Sequence, residues 1–179
     1  MQLDLRDLAD EGLRFDGPLA LPDLPLQGDE RVRVRSASIS GTAVPGSFGV
    51  DLRARLVARL ELGCVRCLEP YEWTIDVPFE LVLAAADEDR LEPEEETPDD
   101  VPDPALVYPV PEGITDLVDV AREQVYLALP LKPVCSEECK GLCPTCGANR
   151  NRIECGCRNE AHDPRLAPLL DIGKRLRGS

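Results

Sequence analysis

The sequence predicts an α+β fold, with an antiparallel β-sheet, one packed helix, a C-terminal zinc-ribbon-like module and a short terminal helix. Three observations predict it. Residues 31–40 and 51–62 alternate polar and apolar side chains, which is typical of strands with one buried face. Residues 114–130 change to the spacing of an amphipathic helix. Six of the eight cysteines then fall between Cys135 and Cys157, an arrangement typical of metal modules.

The sheet is predicted from three long segments, RVRVRSASIS (31–40), DLRARLVARLEL (51–62) and YEWTIDVPFELVLAA (71–85). Successive strand side chains point to opposite faces, so the middle segment has one core face and one solvent face. The predicted core face holds Leu52, Ala54, Leu56, Ala58, Leu60 and Leu62. Residues 41–49, rich in glycine, are predicted to be a loop, and GCVRCLEP (63–70) is predicted to connect antiparallel neighbours.

The first 30 residues give weaker signals. LDLRDL (3–8) is compatible with a short edge strand. GPLALPDLPLQGDE (17–30) contains three prolines and is predicted to be an extended loop.

An acidic segment separates two parts of the chain. Residues 87–104 contain ten acidic residues, one arginine and four prolines, and they offer little to bury. We therefore predict a β-rich part (1–85), an acidic proline-rich linker (86–104) and a C-terminal part (105–179) that folds as one unit with the first. Most of the net charge of −14 belongs to this linker, whereas residues 132–158 contain five basic and three acidic residues.

The C-terminal part is predicted to begin with a short strand within ALVYPVPEG (105–113), followed by the helix. Thr115 or Asp116 is expected to cap the helix, and Pro130 to end it. Its apolar face is predicted to contain Leu117, Val120, Ala121, Val125, Leu127 and Ala128. Asp163 and Pro164 favour the start of a terminal helix that reaches about Leu176.

The eight cysteines form four closely spaced pairs, which suits two tetrahedral zinc ions with four thiolates each. Cys143, Cys146, Cys155 and Cys157 lie within 15 residues and can close a local site, a zinc ribbon. The remaining cysteines, Cys64, Cys67, Cys135 and Cys139, are then predicted to form a non-local site. Two alternatives stay open, in which Cys139 joins the local set or His162 replaces a cysteine.

Other uses of the thiols are less well supported. The βαβ pattern of a thioredoxin-like dithiol enzyme is missing, whereas an iron–sulfur cluster also uses four cysteines and is not excluded by spacing. The N-terminus lacks the basic and apolar regions of a secretory signal, and no apolar run is long enough to span a membrane. We expect a cytoplasmic protein, in which eight cysteines are better explained by metal than by disulfides.

Several of these motifs together resemble the YceD-like family of bacterial and plastid proteins linked to large-ribosomal-RNA accumulation. They are CVRCLEP (64–70), LALPLKPVC (127–135), CKGLCPTCGANRN (139–151), the CGC that follows, and DPRLAPLL (163–170). The resemblance implies a non-enzymatic factor in 23S rRNA processing or large-subunit assembly. It also implies a candidate partner, a small zinc-ribbon ribosomal protein whose gene often lies beside that of the family. Some members lack most of the downstream cysteines, which suggests that the second zinc site is an elaboration.

Two functional hypotheses follow. In the first, the protein contacts 23S rRNA precursors or a large-subunit protein through bases on or near the ribbon, namely Arg150, Arg152, Arg158, Lys174, Arg175 and Arg177. In the second, it is an adaptor whose acidic linker holds a basic ribosomal protein without RNA contact. A zinc hydrolase is disfavoured because two four-cysteine sites leave no open position and the chain has one histidine. Neither a membrane nor a small-molecule substrate is expected.

Overall fold

The computed structural model describes residues 2–26, 31–84, 103, 106–110 and 113–157. The chain divides into two compact units. The first comprises Met1–Cys64 and Glu69–Cys135, and the second comprises Val65–Leu68 and Ser136–Ser179. Of the predicted acidic linker (86–104), only Asp103 is among the described residues, so its boundaries lie outside them.

Within the described residues, the first unit contains a mixed sheet and one α-helix, which confirms the α+β class. Its elements are β1 (Gln2–Asp4), β2 (Leu13–Pro18), β3 (Leu24–Pro25), β4 (Arg31–Gly46), β5 (Gly49–Gly63), β6 (Pro70–Ala84), β7 (Val107–Pro109), β8 (Ile114–Asp116) and α1 (Leu117–Ala128). The main sheet has the order β2-β4-β5-β6-β7, and β3 also pairs with β4. All its pairings are antiparallel except β6 with β7. β1 and β8 form a separate antiparallel pair.

The central strand β5 has the predicted two-residue period. All six side chains of its predicted core face are buried. The helix α1 packs against β5 and β6, and its buried residues Leu117, Val120, Ala121 and Val125 join the same core.

The opposite face of β5 carries arginines that pair with acids on neighbouring strands. Arg55 forms a two-point ion pair with Asp76, with both nitrogen–oxygen distances 2.6 Å. Arg53 lies 3.6 Å from Glu80, and Arg35 on β4 pairs with Glu61 on β5. These basic residues thus hold strands together on a solvent-facing surface.

The predicted loop at residues 41–49 is wrong for most of its length. β4 continues to Gly46, and only Ser47 and Phe48 form the turn before β5. Gly41 lies within β4 and pairs with Ala54 of β5. A glycine is required there because a Cβ would lie 2.3 Å from the carbonyl oxygen of Arg53. It is therefore a glycine of close backbone approach and does not mark a turn.

The predicted loop at residues 17–30 is also partly wrong, because Gly17 and Pro18 end β2 and β3 lies within the segment. β2 pairs with residues 38–43 of β4 and β3 with residues 31–32, and Pro18 and Pro25 are the last residues of their own strands. Proline is tolerated in such positions because little ladder hydrogen bonding is lost.

The helix begins and ends as predicted. The Asp116 side chain accepts a hydrogen bond from the amide of Val118, and the last helical residue, Ala128, lies two positions before Pro130. The prediction for Leu127 is wrong, since its side chain is 74% exposed. The short strand predicted in residues 105–113 corresponds to β7, and the predicted terminal helix lies outside the described residues.

Candidate metal centres

The first cysteine turn, residues 64–69, follows directly from β5. The amide of Cys64 donates to the carbonyl of Glu69 at 2.9 Å, which closes the turn. Leu68 adopts a φ of 60°, a left-handed conformation that is uncommon for a residue with a Cβ. The tight turn brings the sulfurs of Cys64 and Cys67, both buried residues, within 4.8 Å of each other.

The first cysteine group consists of Cys64, Cys67, Cys135 and Cys139. Their four sulfur atoms lie within 4.8 Å of one another, and Cys135 is the exposed member. The pKa of nearby Tyr71 is raised, first because its hydroxyl is desolvated and then because of negative charge on Cys64 and Cys135. This group has the same members as the non-local site predicted from the spacing, and metal binding by it stays a prediction.

The second cysteine turn, residues 143–147, lies in the second unit. The amide of Gly147 donates a hydrogen bond to the carbonyl of Cys143 at 2.8 Å. The amide of Cys143 donates to the carbonyl of Ala148, also at 2.8 Å. Gly147 has a φ of +73°, so glycine occupies the place that Leu68 takes in the first turn. An antiparallel bridge between Leu142 and Asn149 extends this short hairpin.

The second cysteine group consists of Cys143, Cys146, Cys155 and Cys157, again with sulfurs within 4.8 Å of one another. The pKa of Cys143 is lowered to about 6, chiefly by the backbone amides of Cys146 and Thr145. The pKa of Cys157 is raised to about 12, first by its contact with Cys146 and then by burial. Crowded thiols thus resist ionising together unless a cation balances their charge.

The geometry of both groups fits a single metal ion. A tetrahedral zinc–thiolate site has bonds of ~2.3 Å, which places its sulfurs about 3.8 Å apart. All eight cysteines lie in the described residues and each is a free thiol. Both groups can therefore hold metal ions. His162, the alternative ligand, lies outside the described residues.

The predicted basic residues are only partly described. Arg150 and Arg152 are exposed in the segment between Cys146 and Cys155. Arg150 and Lys140 line an open cleft of about 360 Å³ beside Cys143, Cys155 and Cys157. Arg158, Lys174, Arg175 and Arg177 lie outside the described residues.

Two residues that support the groups were not predicted. Arg66, inside the first turn, donates from Nη1 to the carbonyls of Glu137 (2.9 Å) and Cys139 (3.2 Å). The Nδ2 of Asn151 donates to the sulfur of Cys139 at 3.2 Å. The position of Arg66 between Cys64 and Cys67 could have indicated a role in supporting the first group. Nothing in the sequence places Asn151 beside Cys139.

The same cysteine-bearing segments match a known family. The model of the family described as "Large ribosomal RNA subunit accumulation protein YceD" matches residues 52–173, which include all eight cysteines. The chain belongs to the YceD family. The predicted resemblance is therefore confirmed.

Individual YceD relatives span a wide range of organisms. An uncharacterized protein of Mycobacterium tuberculosis is 36% identical over 70% of this chain and 56% of its own length. The maize protein "Large ribosomal RNA subunit accumulation protein YCED homolog 1, chloroplastic" is 31% identical over 76% of this chain and 53% of its own length. The uncharacterized protein YlbN of Bacillus subtilis is 24% identical over 96% of this chain and 94% of its own.

The chain thus spans about half the length of the mycobacterial and maize relatives that it matches. No solved structure is significantly similar to it. Within the described residues, no helix combines the length and the hydropathy needed to cross a bilayer.

Proposed function

We propose that this YceD-family chain is a non-enzymatic, zinc-stabilised factor in the accumulation of 23S rRNA and the assembly of the large ribosomal subunit in the cytoplasm. The family match over residues 52–173 carries the proposal. The two groups of four thiols support it because they suit structural sites, in which every coordination position is filled by protein.

Zinc is the proposed metal at both groups. Sulfurs that each bind a different iron of a cluster are held apart by the cluster, whereas these four lie within 4.8 Å of one another. That proximity favours one ion per group. Mononuclear four-thiolate sites with short cysteine spacings are the usual structural zinc sites.

The proposed RNA contact uses bases held by the second unit. Arg150 and Arg152 lie between Cys146 and Cys155, two members of the second cysteine group. Metal binding by that group would therefore hold both ends of their segment in place. The cleft that Arg150 and Lys140 line is open enough to receive a phosphate group. Arg158, Lys174, Arg175 and Arg177 are proposed to extend this basic surface. Lys and Arg side chains bind nucleic-acid phosphates by neutralising their charge and releasing counterions.

The test is complementation in cells that lack the gene. Loss of the protein is expected to lower mature 23S rRNA relative to 16S rRNA, and the wild-type gene restores the ratio. The variant R150E/R152E changes the charge by four negative units without altering a thiol. It is expected to retain metal and fold but fail to restore the ratio.

A matched control is available on the first unit. Arg14 and Arg59 are exposed sheet residues that form no ion pair within the described part of the chain. R14E/R59E makes the same charge change, so full complementation by it assigns the effect to the second unit. If R150E/R152E complements as well as this control, the proposed basic surface is wrong.

A second candidate is an adaptor that binds a basic ribosomal protein without RNA contact. The ten acids of residues 87–104 favour it, since most of the net charge of −14 lies there. Neutralising half of these acids would abolish complementation by an adaptor and spare an RNA-binding factor. Binding of purified protein to 23S fragments at several salt concentrations distinguishes the two, because phosphate contacts give a steep salt dependence.

A further inference from the structure

Asn151 connects the two cysteine groups through the second unit. It lies between Cys146 and Cys155, two members of the second group, and its Nδ2 donates to the sulfur of Cys139, a member of the first group. The donor–acceptor distance is 3.2 Å. Asn151, which lies between two cysteines of the second group, therefore contacts Cys139 of the first group.

The orientation of the Asn151 side chain is fixed by its other contact. Its Oδ1 accepts a hydrogen bond from the backbone amide of Lys140 at 2.8 Å. A backbone amide can only donate, so the atom facing it must be the carbonyl oxygen and the NH₂ must face the sulfur. A metal-bound thiolate carries no proton and accepts such a bond.

The backbone around Asn151 is also held in place. Its own amide donates to Oδ1 of Asn149 at 3.0 Å, and the amide of Arg150 donates to the carbonyl of Gly141 at 2.9 Å. Asn149 itself is bridged to Leu142. These bonds fix the segment that the thiols of the second group hold at both ends.

We propose that Asn151 is a positioning residue that couples the two metal sites, so that metal at the second group strengthens metal binding at the first. Metal on Cys143, Cys146, Cys155 and Cys157 orders residues 147–154 and holds the Asn151 donor at Cys139. Coupling between binding sites is reciprocal, so metal at the first group strengthens binding at the second by the same factor. The inference rests on the proposal that both groups bind zinc.

The first experiment measures zinc content of the full chain purified without added metal. Two ions per chain support the zinc proposal, whereas none refutes it along with the coupling. With two ions present, each site is followed by its own resonance after exchange with ¹¹³Cd, assigned with Cys146→Ser. Affinity at the first group is measured by competition with a chelator.

Asn151→Asp keeps the side-chain oxygen that accepts from the backbone amide of Lys140. It replaces the NH₂ group that donates to the Cys139 sulfur with a second oxygen. Loss of a partner that hydrogen-bonds a ligand typically lowers metal affinity about 10- to 100-fold, and we expect that range at the first group. Asn151→Ala removes the donor without adding charge and is expected to act in the same direction. Lys140→Gln is the control, since it makes the same charge change beside Cys139 and leaves the Lys140 amide intact.

The coupling itself is tested by a double-mutant cycle. Cys146→Ser removes metal from the second group and is expected to weaken the first group about as much as Asn151→Asp. Because both act through one contact, the combined variant is expected to lose little more than either alone. Equal effects of Asn151→Asp and Lys140→Gln, or fully additive losses in the cycle, would overturn the proposal.

Discussion

Gly147 offers a sharp test of the second cysteine turn. Its φ is +73°, and a Cβ added there meets nothing within 4 Å. Substitution by alanine therefore costs conformational energy and no steric clash. Gly156 is the matched control, because it lies between two ligands of the same group, has equally open space and is absent from the positive-φ residues.

The size of the effect follows from the difference between the two variants. Gly→Ala reduces the freedom of the unfolded chain similarly at both positions. Only Gly147→Ala must also place a residue with a Cβ in the left-handed region, which costs an L-residue roughly 1–2 kcal/mol. Since metal binding at such a site is linked to folding, zinc affinity at the second group should be about 5- to 30-fold weaker in Gly147→Ala than in Gly156→Ala.

The assay is chelator competition on the zinc-loaded full chain, with the second group identified by its loss in Cys146→Ser. The first turn already holds a side chain at the equivalent place, since Leu68 has a φ of 60°, so Gly147→Ala is expected to weaken the second turn without abolishing it. If Gly147→Ala and Gly156→Ala release zinc alike, the left-handed backbone is not what shapes the second turn, and the reasoning is wrong.

Three further predictions concern the rest of the chain. Asp116→Ala should lower the free energy of unfolding by about 1 kcal/mol, the usual value of an N-cap, in denaturant titrations. Because the Val118 amide lowers the pKa of Asp116, this contribution is present above the ordinary aspartate pKa and should disappear as pH falls through the lowered value, so the variant and wild type should converge in acid. Arg66→Ala removes bonds to the carbonyls of Glu137 and Cys139 and should speed zinc release from the first group, whereas Arg53→Ala, a sheet-face control, should not. Leu68→Gly should change stability by less than about 1 kcal/mol, because relief of backbone strain is offset by the greater freedom of glycine in the unfolded chain.

Local patterns were sufficient to predict several elements. The period of β5 places six side chains in the core because alternation is a property of the strand itself. The Asp116 cap and the end of α1 before Pro130 likewise depend on neighbours within a few residues. Chain distance favours the same two sets of four cysteines whose sulfurs lie within 4.8 Å of one another, and their role as metal ligands stays a prediction.

Features set by long-range pairing could not be predicted in this way. Gly41 suggested a turn, but it is a strand residue because Arg53 of β5 approaches its backbone. The parallel pairing of β7 with β6 aligns Val82 with Val107, and neither strand's own sequence indicates this partner or its direction. Leu127 fits the apolar face of α1 by spacing, yet it is exposed near the end of the helix.

The surroundings of the thiols show the same division between local and long-range causes. Both C-x-x-C turns are closed by hydrogen bonds across four to five residues, so each turn brings its own two thiols together through local contacts. The contact of Asn151 with Cys139 instead depends on residues 139–142 lying alongside residues 149–151, through the bonds at Gly141 and Lys140. Gly141 permits this approach at a φ of +69°, where a Cβ would come within 3.1 Å of the carbonyl oxygen of Arg66. The candidate metal ligands are therefore visible in the sequence as pairs of cysteines, whereas the glycine and the amides that surround them act from several positions away and are not.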